Sequence, residues 1–308
     1  MNIENQSGEL DLLAINPDYI AHPLSWLGHI PFAAWLAKAL EPNVFVELGS
    51  YSGTSYFALC QAIKDAELST QCVAIDTWEG DEHTGSYSEA IFDTFSKYND
   101  ENFKAFSTYL RMRFETALPQ FEDKSVDLLH IDGLHTYDAV KNDYMTWLPK
   151  ISDRGVIIFH DTDVDTEGFG VKRFWSEICG LYPSYNFSHS NGLGVLLVGN
   201  VYKDDETLIN SIKAVAPLSE RLAERLWLQQ IVREKQSKIE ELEGVTIPQM
   251  RAEYEHVESS FNQAKADQEQ TESNLAQTQN ELLMSNAELQ NIKKSKSWRL
   301  LAKLKLLK

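Results

Sequence analysis

A chain of 308 residues, 43% of them hydrophobic, is long enough for one large domain or for one domain with extensions. Its net charge of -18 argues against general nucleic-acid binding through phosphates. Cys60, Cys72 and Cys179 lack metal spacing and read as reduced thiols of a cytoplasmic protein, and neither an export-type apolar leader nor an apolar run of ~18 residues is seen.

Residues 1–20 are polar and set no element. Leu24, Leu27, Ile30, Ala34, Leu36 and Leu40 recur at helical spacing and predict a helix that stops before Pro42. The apolar run at 44–48, which carries Glu47, predicts a buried strand. Gly49 and Gly53, four residues apart, then open a helix over about 53–64. A strand-turn-helix of this kind cradles nucleotide-like ligands on backbone amides, with Ser50 inside the loop. The next strand, 72–76, ends in Asp76, placed to accept hydrogen bonds from both ribose hydroxyls of such a ligand. Thr77 and Trp78 follow it. Residues 78–87, with Trp78, Asp81, His83 and Tyr87, read as a lid over a polar substrate. Residues 86–121 read as amphipathic helix around a short third strand without a clear position.

Strands at 126–131 and 155–159 and helices at 136–148 and 170–180 continue the alternation. Strands at 185–189 and 193–198 flank Asn191-Gly192, a hairpin signal. The expected fold class is therefore an α/β, Rossmann-like sandwich with a mostly parallel sheet and a terminal antiparallel hairpin.

The ends of the fourth and fifth strands carry His130, Asp132, His135 and Tyr137, then His160, Asp161 and Asp163. Adjacent parallel strands would bring these together, so Asp132, Asp161 and His160 are candidate ligands of one hard divalent cation. His135, one turn into the next helix, is a candidate base toward the same point. His130, inside its strand, reads as a hydrogen-bonded core residue.

Beyond Lys203 Gly and Pro are scarce, with breaks expected only at Pro217 and Gly244–Pro248. A 3–4 spacing runs through Tyr254, Val257, Phe261, Ala264, Gln268, Thr271, Leu275, Thr278, Leu282, Ser285, Leu289 and Ile292. It predicts a weak coiled coil and pairing between copies. Residues 293–308 carry seven basic side chains and no acid, with Trp298 and five leucines, a composition suited to an anionic membrane surface or a partner. The expected division is 1–20 (polar segment), 21–202 (ligand-binding domain), 203–292 (helical extension) and 293–308 (basic amphipathic tail).

The pattern Glu47-x-Gly49-x-x-x-Gly53 with Asp76 resembles motif I and the ribose-binding acid of class I S-adenosylmethionine (SAM) methyltransferases. Trp78–Tyr87, Asp127–Tyr137 and Gly155–Asp161 resemble one branch of that class, found in surface-polysaccharide and glycan modification and similar to metal-dependent sugar O-methyltransferases. The resemblance covers about residues 24–200. It implies SAM held by Glu47, Gly49, Ser50, Gly53, Asp76, Thr77 and Trp78. It also implies Mg²⁺ on Asp132, Asp161 and the His160 position (a carboxylate in that group), and His135 with Asp132 as catalytic residues. The expected acceptor is a sugar or glycan hydroxyl met by His83, Tyr87 and Tyr137. Ser297–Leu300 resembles the ends of coiled-coil segments in polysaccharide glycosyltransferases, and implies a contact with such an enzyme or with the inner face of the membrane. Two readings compete with this one: an NAD-dependent Rossmann enzyme, and a non-catalytic coiled-coil assembly protein.

Overall fold

In the computed structural model, described for residues 15–81, 85–294 and 296, the chain divides into two compact units, one through Val232 and one from Arg233. In the first, a 3₁₀ segment Leu24–His29 leads into α1, Ile30–Leu40. The single helix expected over this stretch starts later because Pro31, in its first turn, fixes the entry. Strand β1 (Val44–Leu48), α2 (Thr54–Asp65) and β2 (Gln71–Asp76) follow as expected. A two-residue ladder pairs Gly80–Asp81 with Gly85–Ser86. Next come α3 (Glu89–Asn102), β3 (Ser107–Arg111), a short α4 (Phe114–Ala117), β4 (Val126–Ile131), α5 (Tyr137–Trp147) and β5 (Ile151–His160). The unit closes with α6 (Val171–Ile178), β6 (Ser184–Phe187), β7 (Leu193–Leu197) and the first part of α7 (Thr207–Glu241).

The seven strands lie in the order β3-β2-β1-β4-β5-β7-β6. Strands β1 to β5 are parallel, while β7 pairs antiparallel with both β5 and β6. All six residues of β4 are buried, as a strand covered on both faces requires. Alternate residues feed two cores. Phe45, Val156 and Ile158 face the α1 and α2 side; Val46, Leu48, Ile157 and Phe159 face α5 and α6. The order changes direction between β1 and β4, and at such a switch point ligands bind beyond the carboxyl ends of the strands.

The boundary expected at 202/203 moves outward. Ile209, Ile212, Ala216 and Leu226 of α7 are buried in the same core as α1 and α2. Pro217 does not break the helix, which runs through it between the buried Ala216 and Ser219. From Arg233 onward the described chain is helical. After α7 comes a π-helical turn, Leu242–Thr246, and then α8, Ile247–Lys294. The break expected at Gly244–Pro248 is thus a turn that passes directly into helix. Tyr254, Val257, Phe261, Leu275, Leu282, Leu289 and Ile292 are all exposed along α8. No described helix is long and apolar enough to cross a membrane. Trp298 and the rest of 297–308 lie outside the described residues.

Candidate active site

A cavity of about 820 Å³ opens beyond the carboxyl ends of β1, β2, β4 and β5. Its floor is the β1–α2 loop. Gly49 has φ +87°, and a Cβ there would lie 2.1 Å from the Asp132 carbonyl oxygen. Glycine is therefore required at 49 by the end of β4 as well as by any ligand. Gly53 has φ +90°, and its Cβ would strike the rings of Phe57 and Phe95; it shapes the turn from behind and is not in the cavity wall.

Asp76 ties this loop together. Its Oδ2 accepts the backbone N–H groups of Ser50 and Tyr51, both at 2.9 Å, and its Oδ1 accepts that of Trp78 at 2.8 Å. Burial raises its pKa, and those same backbone hydrogen bonds oppose the rise. Sequence reasoning assigned both oxygens to ribose hydroxyls. The structure fills most of that acceptor capacity with loop amides.

Across the cavity, β4 and β5 end side by side and deliver Asp132 and Asp161, with His135 arriving from the turn before α5. His135 Nε2 lies 2.9 Å from Asp161 Oδ2 and 3.5 Å from Asp132 Oδ1. Its ring stacks on Phe169, with centroids 4.9 Å apart and planes within 3°. One ligand atom each from Asp132, His135 and Asp161 falls within 4.8 Å of the others. His160 Nδ1 stands 3.4 Å from Asp132 Oδ1 and 3.3 Å from Asp161 Oδ1. Burial alone would lower both imidazoles, but the two carboxylates outweigh it and raise each to about 10. Asp132 and Asp161 are held well below the usual carboxylate range: burial opposes this, and the facing imidazoles prevail. Asp161 has φ +60°, a left-handed backbone that an aspartate adopts at some cost and that aims its carboxylate at His135.

Behind the cluster the imidazole tautomers are set by their partners. His130 Nδ1–H donates to Glu47 Oε2 at 2.8 Å, and its Nε2 accepts the Trp26 indole N–H at 3.3 Å. His130 is thus the core residue its strand position implied. Glu47 is wholly buried against it and does not line the cavity, so its assignment as a cofactor ligand is corrected. Trp78 is corrected likewise. Its ring packs on Phe92 and Phe95 and its indole N–H donates to the Tyr51 carbonyl, because the chain turns inward after Asp76. Tyr137 also faces away, its hydroxyl donating to Glu177 Oε2 at 2.8 Å.

Gly49, Ser50, Asp76, Thr77, Tyr87, Asp132, His135, His160 and Asp161 do meet in the one cavity. His83 lies outside the described residues. Sequence reasoning missed Trp26, Phe169 and Asn191 in the wall, and Asp143 of α5, whose buried carboxyl is pushed up to about 7 by burial and then by Glu115. The Asn191-Gly192 signal was visible, but only as a hairpin turn.

Residues 46–162, from β1 to just past the end of β5, match a family model described as a methyltransferase domain. An uncharacterized protein of Sinorhizobium fredii, y4gI, is 44% identical over 202 residues, which make up 65% of this chain; the chain spans 22% of that relative's length. Among solved structures, the O-methyltransferase TomG of Streptomyces achromogenes, in complex with SAM, aligns at 16% identity and a TM-score of 0.42, over 65% of this chain and 91% of its own. The Podospora anserina methyltransferase PaMTH1, bound to SAH, aligns at 14% identity and a TM-score of 0.44, over 64% of this chain and 96% of its own.

Proposed function

We propose that this protein is a SAM-dependent O-methyltransferase acting on a hydroxyl of a sugar or glycan, assisted by a divalent cation. The observation that carries the reading is the meeting, in one cavity, of the Asp76-tied glycine loop and the Asp132–His135–Asp161 cluster. The volume suits a cofactor together with part of an acceptor. Gly49, Ser50, Asp76 and Thr77 would hold the cofactor, and Asp132, Asp161 and His160 the cation. The donor set fits such an ion: ligand atoms of Asp132, His135 and Asp161 lie within 4.8 Å of one another, and His160 Nδ1 stands 3.4 and 3.3 Å from the same two carboxylates.

When bound, SAM supplies an electrophilic methyl group and the cation lowers the pKa of a hydroxyl beside it. His135, held flat by Phe169 and turned toward both carboxylates, takes the acceptor proton in its neutral form. That form requires the two negative charges to be matched elsewhere; two protonated imidazoles and one divalent cation are alternative ways of matching them. The loop and the cluster fix the reactants in line, an alignment worth ~7–11 kcal/mol. Trp26, Tyr87 and Phe169 offer flat apolar faces, and Ser25, Glu79 and Asn191 offer hydrogen-bonding groups, the mixture a polyol acceptor calls for.

The cavity's charge weighs against the NAD alternative. Asp76, Glu79, Glu115, Asp132, Asp143 and Asp161 line it, and Arg113 is the one lysine or arginine among the described lining residues. A pyrophosphate would be repelled there, whereas a sulfonium cation would be attracted. The acid-imidazole cluster likewise weighs against a purely structural protein. The C-terminal helices pair between copies along the exposed seam of α8, and the basic tail is the contact for a membrane surface or a glycosyltransferase on the cytoplasmic side.

The test is SAM titration followed by methyl transfer to a panel of glycosides, before and after chelation. Turnover lost to chelator and restored by Mg²⁺ or Mn²⁺ is expected. Full turnover in chelator would leave His135 and Asp161 as a metal-free base pair, and absence of SAM binding would end the reading.

A further inference from the structure

The segment Leu24–His29 and the turn between β6 and β7 are fastened to one another behind the acid-imidazole cluster. The Ser190 carbonyl lies 3.0 Å from His29 Nε2 and 3.2 Å from His160 Nε2. A carbonyl only accepts, so both imidazoles carry their proton on Nε2. His189 Nε2–H donates to the Gly28 carbonyl at 3.0 Å in the reverse direction. A Cβ on Gly28 would fall 2.0 Å from Ser190 Oγ, so the approach depends on glycine. Ser190 and Asn191 both have left-handed backbones, φ +50° and +70°, in the turn that presents the Ser190 carbonyl.

His29 is fully buried, and its Nδ1 has no hydrogen-bond partner. Burial, then the neighbouring His160 and His189, keep it well below the ordinary histidine range, hence neutral. Leaving a buried nitrogen unpaired is destabilising, a penalty that an apolar ring of the same shape would avoid. What the apolar ring would lack is the one donated bond to Ser190.

We propose that His29 is a positioning residue for the active site: through the Ser190 carbonyl it holds His160 so that Nδ1 faces Asp132 and Asp161. His29 touches neither carboxylate. It acts on the orientation of His160, as partners behind metal-binding imidazoles do. This inference rests on the proposed role of His160 in the cation site.

The test uses the full chain with His29→Phe, which keeps the ring and loses the donor, and His29→Gln, which keeps a donor. Mn²⁺ alone is titrated by electron paramagnetic resonance, and SAM is titrated separately. Wild type and His29→Gln should bind Mn²⁺ within about threefold of each other, while His29→Phe weakens it ~10-fold or more, the low end for lost outer partners. SAM affinity should be equal in all three. In ¹⁵N-edited spectra, the His160 Nε2–H signal, identified by its absence in His160→Asn, should be retained in His29→Gln and lost or shifted in His29→Phe.

Unchanged Mn²⁺ binding and an unchanged His160 signal in His29→Phe would overturn the proposal. So would a His29→Gln variant as defective as His29→Phe, which would mean that the ring matters only for packing. If wild type binds no Mn²⁺, the cation reading fails, and the His160 signal alone decides the positioning role. Should His29→Phe not fold, His29→Leu, also apolar and without a donor, is measured in the same way, and wild-type behaviour there would equally refute the role.

Discussion

Asp76 illustrates how one carboxylate holds a loop in shape beside a cavity. Three backbone N–H groups end on it, and hydrogen bonds to a charged acceptor are worth ~1.5–3 kcal/mol each. Asp76→Ala should therefore lower thermal stability and SAM affinity in parallel, where a purely ribose-binding acid would lose affinity alone. Differential scanning fluorimetry beside calorimetric titration separates the two. Asp143 gives a second residue-scale expectation. Its folded pKa of about 7, against 3.8, means that the neutral form is favoured by folding. Its stabilising contribution is present below pH ~4 and is lost as pH rises toward 7, a difference on the order of 2–4 kcal/mol. Asp143→Asn should match wild type near pH 4.5 and melt higher than wild type at pH 8. Equal melting temperatures at both pH values would show that Asp143 ionises freely.

At the scale of elements, legibility followed burial. Strands β1, β2, β4 and β5 are short apolar runs ending in turn signals, and they stand where periodicity put them. Strand β3, Ser107–Arg111, escaped because it is an edge strand of mixed polarity with only Ser107 buried. Asp132, His135 and Asp161 were legible because strand ends in such a sheet converge. Trp78 was not, since its side-chain direction depends on how the chain turns after β2; Glu47 lies inside β1 on the same face as Phe45, and the motif alone did not show that this face meets His130 instead of the cavity. Helix α8 offers a further test. The apolar spacing Ile239, Leu242 and the spacing Ile247, Met250, Tyr254, Val257 are out of step by one residue. The π-helical turn Leu242–Thr246 lies between them, and a turn bonded i to i+5 absorbs one extra residue. Deleting Gly244 should therefore give an uninterrupted α-helix with the stripe still in phase. Circular dichroism should show equal or higher helix stability and light scattering an unchanged mass. Loss of association on deletion would mean that the two stripes are unrelated.

For the whole molecule, α7 belongs to the sheet domain through Ile209, Ile212, Ala216 and Leu226, and extends past Val232 into the second unit. A chain ending at residue 202 should be destabilised by several kcal/mol, since each fully buried aliphatic side chain contributes ~1.5–3 kcal/mol, whereas one ending at Val232 should melt like the full chain at high dilution. Urea unfolding of both measures this, and equal stability would place the core boundary back at 202.

The helix shared by the two units also makes stability a matter of concentration. If copies associate through α8, binding that occurs only in the helical state adds to the free energy of folding by mass action. The melting temperature of the full chain should then climb as protein is added, while the chain ending at Val232 melts at one temperature throughout. Dilute and concentrated solutions of the protein would then differ in durability without any change in the cavity.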